Sequence, residues 1–169
     1  IEKSSNIGTV KAAMKLGAVK IYKYIRDFGF GQRTGIGLAG EINGITPHHK
    51  NWSRSSIINI PIGQGVAVTI AQIAEAYGAI ANKGRMVPPH VVKKVGDKVL
   101  SHPRGQQIIS PATAEQVNIM LQKVVSDDGT GKEAKIEGYT VGGKTGTANK
   151  MTQAHMAAGV TAHFSTFVG

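Results

Sequence analysis

Apolar residues recur at helical spacing in four stretches of the chain. Ser4-Ser5-Asn6 supplies hydroxyl and amide groups of the kind that cap a helix, and the run from Ile7 to Leu16 that follows closes at Gly17. A second amphipathic run, Val19, Ile21, Tyr22, Ile25 and Phe28, stops at Gly29. Thr69-x-x-Gln72 spells a capping box, after which Ile70, Ile73, Ala74, Tyr77, Ile80 and Ala81 share the predicted apolar face of a helix ending by Gly84. Ser110 as cap and Pro111 in the first turn open a fourth helix, whose predicted buried stripe is Val117, Met120, Leu121, Val124 and Val125. It ends near Asp127-Asp128-Gly129.

Between the helices the pattern changes. Residues 30–66 are rich in Gly, with Pro47 and Pro61, and predict irregular chain. His90 to Val95 predicts a strand, Gly96-Asp97 a tight turn, and Lys98-Val99-Leu100 the return. Near the end, Tyr139-Thr140-Val141 before Gly142-Gly143-Lys144-Thr145-Gly146-Thr147, and Phe164 to Val168, favour two strands. The elements predict a mixed α and β chain.

Length and composition narrow this further. A chain of 169 residues, 41% hydrophobic and without low-complexity tracts, suits one folded domain. Its longest mainly apolar stretch, Ile57 to Ala74, is interrupted by Asn59, Pro61, Gly63, Gln64, Gly65 and Gln72, short of the ~20 apolar residues of a membrane helix. The first residues carry neither an initiator Met nor a targeting signal, so the chain is expected to begin inside a longer protein. With no cysteine, disulfides and thiolate chemistry are excluded.

The formal charge is +10, and Lys83, Arg85, Lys93, Lys94, Lys98 and Arg104 are opposed only by Asp97 in their stretch. No aromatic residues interleave with them to stack bases, so a solvated basic hairpin is expected and no nucleic-acid partner. His48-His49, His90, His102, His155 and His163 show no metal-ligand spacing, and no cofactor or metal is expected. Trp52 reads as a packing anchor.

Gly138-Tyr139-Thr140-Val141-Gly142-Gly143-Lys144-Thr145 spells the G-x-x-x-x-G-K-T of a phosphate-binding loop. That loop needs a helix after its lysine, and Gly146 and Thr147 are poor helix formers. The last carboxylate side chain is Glu137, so nothing downstream helps to hold magnesium. Only 24 residues follow Thr145, too few for a parallel nucleotide-binding sheet. A nucleotide-binding protein stays as one alternative, and a noncatalytic binding module as another. Split differently, the same residues give K-T-G, which joins S-x-N and S-x-x-K in serine acyl transfer. Ser4-Ser5-Asn6 provides S-x-N.

These motifs, in order and with their flanks, resemble the penicillin-binding transpeptidases of bacterial cell-wall synthesis, specifically the class B enzymes. The resemblance runs through Lys3 to Thr9, Phe28-Gly29-Phe30-Gly31, Thr34 to Glu41, Ile62-Gly63-Gln64-Gly65, Thr69 to Gly84, Gly129-Thr130-Gly131 and Gly142 to Ala148. Where division-type members often carry Pro before Gly-Glu, this chain has Ala39. The resemblance implies an α+β, serine β-lactamase-like transpeptidase fold, incomplete here: an antiparallel sheet packed by helices, with K-T-G-T on a strand beside the helix start at Ser4. It implies that 1–169 is the C-terminal part of one such domain.

The resemblance also implies roles. Ser4 would relay protons, Asn6 would hold the substrate amide, and Lys144 would supply positive charge and hydrogen-bond Ser4. Thr145 and Thr147 would bind the carboxylate of a D-Ala-D-Ala stem peptide or of a β-lactam, with Ser5 beside them. The Thr147 N–H would form half of an oxyanion hole, and Gly143 and Gly146 would let substrate lie against the strand. No serine is followed three positions on by lysine. The nucleophile is therefore expected upstream of Ile1, this chain alone is expected not to acylate, and the final strand and helix of the fold are expected beyond Gly169. Further implications are a division role, cell-wall synthesis partners, and residence on the extracytoplasmic face of the inner membrane through an anchor outside this sequence.

Overall fold

The computed structural model describes residues 1–150 and 162–168, with side chains through Thr147. Of the histidines weighed above, His155 lies outside the described residues. In chain order the helices are α1 (Asn6–Leu16), α2 (Ala18–Asp27), α3 (Ser56–Asn59), α4 (Ile70–Ala81) and α5 (Pro111–Val124). The strands are β1 (Arg85–Met86), β2 (Lys94–Val95), β3 (Lys98–Val99), β4 (Gln106–Gln107), β5 (Lys144–Lys150) and β6 (Ala162–Val168). They form three antiparallel pairs, β1 with β4, β2 with β3, and β5 with β6. The chain divides into two compact units: Ile1–Lys15 with Ser53–Gly65 and Ile119–Gly169, and Leu16–Trp52 with Val66–Asn118.

In the second unit, α4 begins at the reciprocal capping box read in the sequence, with Gln72 N–H donating to Thr69 Oγ1 and Thr69 N–H donating to Gln72 Oε1. The buried face of this helix is not the predicted one. Ile70 is 86% exposed, whereas Gln72, Glu75, Ala76 and Ala79 are buried. The reason is polar: the Gln72 amide donates to the carbonyls of Gln32 (2.6 Å) and Asn43 (2.8 Å), so one fully buried side chain satisfies a helix start and two loop carbonyls. The irregular chain thereby lies close to Gln72. Gly44 serves that approach, with φ at +68° and a position where a Cβ would strike the Ala67 carbonyl oxygen. Ile45 and Ala67 exchange backbone hydrogen bonds of 2.7 and 2.9 Å beside it.

The loop after α2 is closed by charge. Arg26 donates to the carbonyls of Phe30 and Gly31, folding the loop back onto the last turn of the helix. Glu41 accepts from the Thr34 N–H and hydroxyl, each at 2.6 Å, and from Gly35 N–H. Those bonds lower its pKa. Glu75 is raised, first by burial and then by the nearby Glu41 charge. Trp52 donates from its indole N–H to the Pro47 carbonyl at 2.8 Å, and the rings of His48 and His49 meet Tyr22 at tilted and edge-on angles. Residues 30–66 are irregular except for α3 and two single turns of 3-10 helix.

In the first unit, Ser5 caps α1, accepting from Gly8 N–H at 3.1 Å. Helix α5 starts in the second unit, where Ser110 caps it, as its position predicts, through Thr113 N–H, and it ends in the first. On the last turns of α5, Leu121, Val124 and Val125 are buried as expected, but Met120 is 39% exposed. Val124 is fully buried, worth roughly 1.5–3 kcal/mol of hydrophobic stabilisation. The carbonyls of this helix end do further work: Val124 accepts from Gly131 N–H (2.8 Å) and Leu121 from Gly143 N–H (3.3 Å). Tyr139-Thr140-Val141 is not strand, correcting the sequence expectation. Tyr139 N–H closes a turn onto the Ile136 carbonyl with its ring exposed, the chain meets α5 only at Gly143, and the ladder starts at Lys144, paired with Val168.

Replacing Gln72 by Leu strands the two loop carbonyls, and chemical denaturation should show a loss of roughly 2–4 kcal/mol. Because the folded pKa of Glu75 is raised, its protonated form is the one the fold favours. That contribution is complete below the unfolded value of about 4.3 and is lost as pH rises through the folded value. Glu75→Gln should therefore melt above the wild type at pH 8, with the difference closing towards pH 4.

Candidate active site

Three segments of the first unit meet at one point. Ser4, just before α1, has a left-handed backbone (φ +49°), an uncommon conformation for a residue with a side chain. It is held by a turn, Ser4 N–H to Ile1 carbonyl at 3.0 Å, and by two side-chain bonds. Lys144, the first residue of β5, donates to Ser4 Oγ. Thr130 Oγ1 lies 3.4 Å from the same oxygen and 3.2 Å from Thr145 Oγ1. The remaining Lys144 contacts are the Thr145 carbonyl (2.9 Å) and Thr145 hydroxyl (3.2 Å).

The location of Thr130 follows from the end of α5. Gly129 turns back so tightly that a Cβ would collide with the Val124 carbonyl oxygen, and Gly131 N–H bonds that carbonyl in turn. Thr130 is thereby set against the N-terminal segment, where its N–H and hydroxyl both donate to the Glu2 carbonyl, at 3.4 and 3.3 Å. Lys3 reaches the Asp128 carbonyl at 2.5 Å, a second tie between the same segments.

Of the residues expected to act, the structure brings together Ser4, Lys144 and Thr145. Ser5 faces α1 as its cap, and Asn6 sits exposed at the first helical position with no side-chain bond to Ser4 or Lys144 among the described residues. Gly143 is buried against the end of α5. Gly146 and Thr147 continue along β5 on the exposed side, opposite Thr166 and Ser165. Thr130 was not singled out as a site residue in the sequence. The only signal was its place in Gly129-Thr130-Gly131, because a threonine between glycines carries no chemistry until folding places it beside others.

Lys144 opens a strand, not a helix, so no ring of helix N-terminal amides surrounds it and the phosphate-loop alternative fails on geometry. Instead, the Lys144 ammonium is held by the hydroxyls of Ser4 and Thr145, which the Thr130 hydroxyl links to each other. Among the described residues no carboxylate pairs with it. Burial lowers the Lys144 pKa. A partly desolvated ammonium held by hydroxyls can bind a carboxylate and pass protons through Ser4.

This geometry sets a titration. With each lysine amine followed by NMR, Lys144 should lose its proton at lower pH than the exposed lysines. In Ser4→Ala its pKa should fall further, because a bond that favours the charged form is gone. A Lys144 amine that titrates with the surface lysines would contradict the packing described.

The chain resembles known proteins along its whole length. Residues 1–169 match the family described as penicillin binding protein transpeptidase domain. Penicillin-binding protein PbpB of Mycolicibacterium smegmatis is 42% identical over 163 residues, covering 90% of this chain and 25% of that protein. The probable peptidoglycan D,D-transpeptidase PenA of Neisseria meningitidis is 31% identical over 169 residues, covering 100% of this chain and 28% of that one. The crystal structure of penicillin binding protein 3 from Mycobacterium tuberculosis complexed with aztreonam superposes with a TM-score of 0.90 at 38% identity, over 98% of this chain and 40% of that one. The chain thus spans about a quarter of the length of the curated relatives it matches. With its serine, lysine and threonines gathered beside a K-T-G strand, it belongs to the penicillin-binding protein transpeptidase family.

Proposed function

We propose that this chain is the C-terminal portion of one D,D-transpeptidase domain and supplies the carboxylate-binding and proton-relay wall of its active site. The observation that carries this is the Lys144 ammonium bonded to Ser4 Oγ, with Thr130 and Thr145 closing the hydroxyl cluster. A stem peptide ending in D-Ala-D-Ala presents a carboxylate and a scissile amide, and a β-lactam presents a carboxylate and a strained amide in the same relation. Lys144, Thr145 and Thr147 receive the carboxylate in this reading. Asn6 orients the amide, and the Thr147 N–H faces the developing oxyanion.

The nucleophile comes from a Ser-x-x-Lys segment that is not in this sequence, completed by the preceding part of the same domain. Ser4 acts on protons: its hydroxyl lies on Lys144 and needs no lysine three residues on. Acyl transfer then proceeds by attack of the upstream serine on the amide carbonyl as it gives up its proton, and departure of D-Ala with its nitrogen protonated. An amine of a second stem peptide then takes the acyl group and restores the serine hydroxyl, whereas a β-lactam opens its ring, loses no leaving group and stays as the acyl-serine. The complete protein works outside the cytoplasmic membrane, at the membrane-facing side of the cell wall, with the synthesis machinery as its partner. A division-type role is supported by the Phe28–Gly31 and Thr34–Glu41 stretches.

The chain should be joined to its native upstream segment and labelled with a fluorescent penicillin. Labelling is expected on a serine outside residues 1–169, and Lys144→Ala should slow it by roughly 10²–10³, the scale of removing one preorganised stabilising group. No labelling would overturn the activity. A label on Ser4 itself would overturn its relay role while keeping the family chemistry. The division role is checked by complementation, since rescue of an elongation defect and not a division defect would sink it.

A further inference from the structure

From Arg85 to Gln107 the second unit extends a single antiparallel arm. At its base, β1 and β4 pair Arg85 with Gln107 and Met86 with Gln106, and Arg85 donates to the Gly105 carbonyl at 3.2 Å. Midway, the rings of His90 and His102 stack across the arm with centroids 3.4 Å apart. At its tip, β2 and β3 pair Lys94 with Val99 and Val95 with Lys98. Base and imidazole stack share one register, and the tip is one residue out of step. Between them, Val91 and Val92 on the outgoing side stand against Ser101 alone on the return.

Every residue from Val91 to Val99 is exposed, including Val91 (56%), Val95 (64%) and Val99 (66%). Two-stranded hairpins are marginal in water, and β-branched residues gain from a third strand or a covering face. Among the described residues β2 and β3 have neither a third strand nor a covering face. Directly paired residues share a face, so one face carries Lys94 with Val99 and the other Val95 with Lys98. A bilayer surface asks for one apolar face, which this alternation does not provide. An added strand asks for free backbone edges with side chains to match on both faces. Leu100 N–H donates to the Lys93 carbonyl, which makes those two a hydrogen-bonded pair. In the antiparallel alternation, Lys94 and Val99 then turn their own N–H and C=O groups outward, one on each edge.

Charge chooses the partner. Lys83, Arg85, Lys93, Lys94, Lys98 and Arg104 face only Asp97 in this stretch, so a second copy of the hairpin is repelled and an acidic strand attracted. We propose that the β2–β3 hairpin takes an acidic, extended peptide segment of a partner protein as an added strand. Backbone edges supply the pairing, valines the side-chain contact, and lysines the selection. The inference does not depend on the transpeptidase reading.

The test uses the whole chain and a fluorescein-labelled seven-residue peptide alternating Glu and Val, with a Lys/Val peptide and phosphatidylglycerol vesicles as comparison. Saturable anisotropy with the acidic peptide alone, weakening as salt rises, is expected, together with slowed amide exchange at Lys94 or Val99. Reversing Lys93, Lys94 and Lys98 to Glu should weaken binding at least tenfold. The double variant Lys94→Pro with Val99→Pro spares the hairpin's own bonds and blocks both edges, and it should also abolish binding. Absence of peptide binding, equal binding in the proline variant, or a preference for vesicles over peptide would each overturn the proposal.

Discussion

Lys144 and Ser4 stand 140 residues apart and meet in one hydrogen bond, and the geometry of the first unit is arranged around that meeting. An ammonium is costly to desolvate, and burial here lowers the Lys144 pKa. What holds the charge in place is the set of oxygens around it, from Ser4 and from the carbonyl and hydroxyl of its own neighbour Thr145. Ser4 in turn keeps a left-handed backbone that few side-chain-bearing residues adopt. The strain sits where the polar contacts over-determine it, which is where strain is found in functional sites.

The end of α5 makes that meeting possible. Its last carbonyls accept from Gly131 and Gly143, so one helix terminus fixes both the Thr130 turn and the approach to β5. Groups that any helix leaves unsatisfied at its C-terminus become the reference point for the site. Val124 and Leu121, buried on the same turns, hold that terminus rigid. The geometry of the hydroxyl cluster thus rests on a hydrophobic stripe and the helix-end carbonyls together, and neither alone would place the Thr130 hydroxyl within reach of both Ser4 and Thr145.

The second unit shows the same economy with a different residue. Gln72 closes a capping box and satisfies the Gln32 and Asn43 carbonyls, so a polar side chain occupies a fully enclosed position of α4. Its neighbour Glu75 accepts a cost in ionisation for lying on that face. The long arm from Arg85 to Gln107 is the opposite case, a segment held by a short ladder and one imidazole stack while its valines stay in water.

The sequence by itself determined what depends on neighbours along the chain. The caps at Ser5, Thr69 and Ser110, the hairpin turn at Gly96-Asp97, and the two motifs Ser4-Ser5-Asn6 and Lys144-Thr145-Gly146 were legible because capping, turns and motif spelling are local. Only the tertiary structure decided which face of α4 is buried, since hydropathy favoured Ile70 and could not register the distant carbonyls that select Gln72. It decided that Tyr139-Thr140-Val141 is not strand, because Tyr139 N–H closes a local turn onto Ile136 and β propensity finds no partner strand to pair with among the described residues. It also decided that Thr130 belongs with Ser4 and Thr145, because a hydrogen bond such as Ser4 to Thr130, across 126 residues, follows from packing and leaves no periodic trace in the chain.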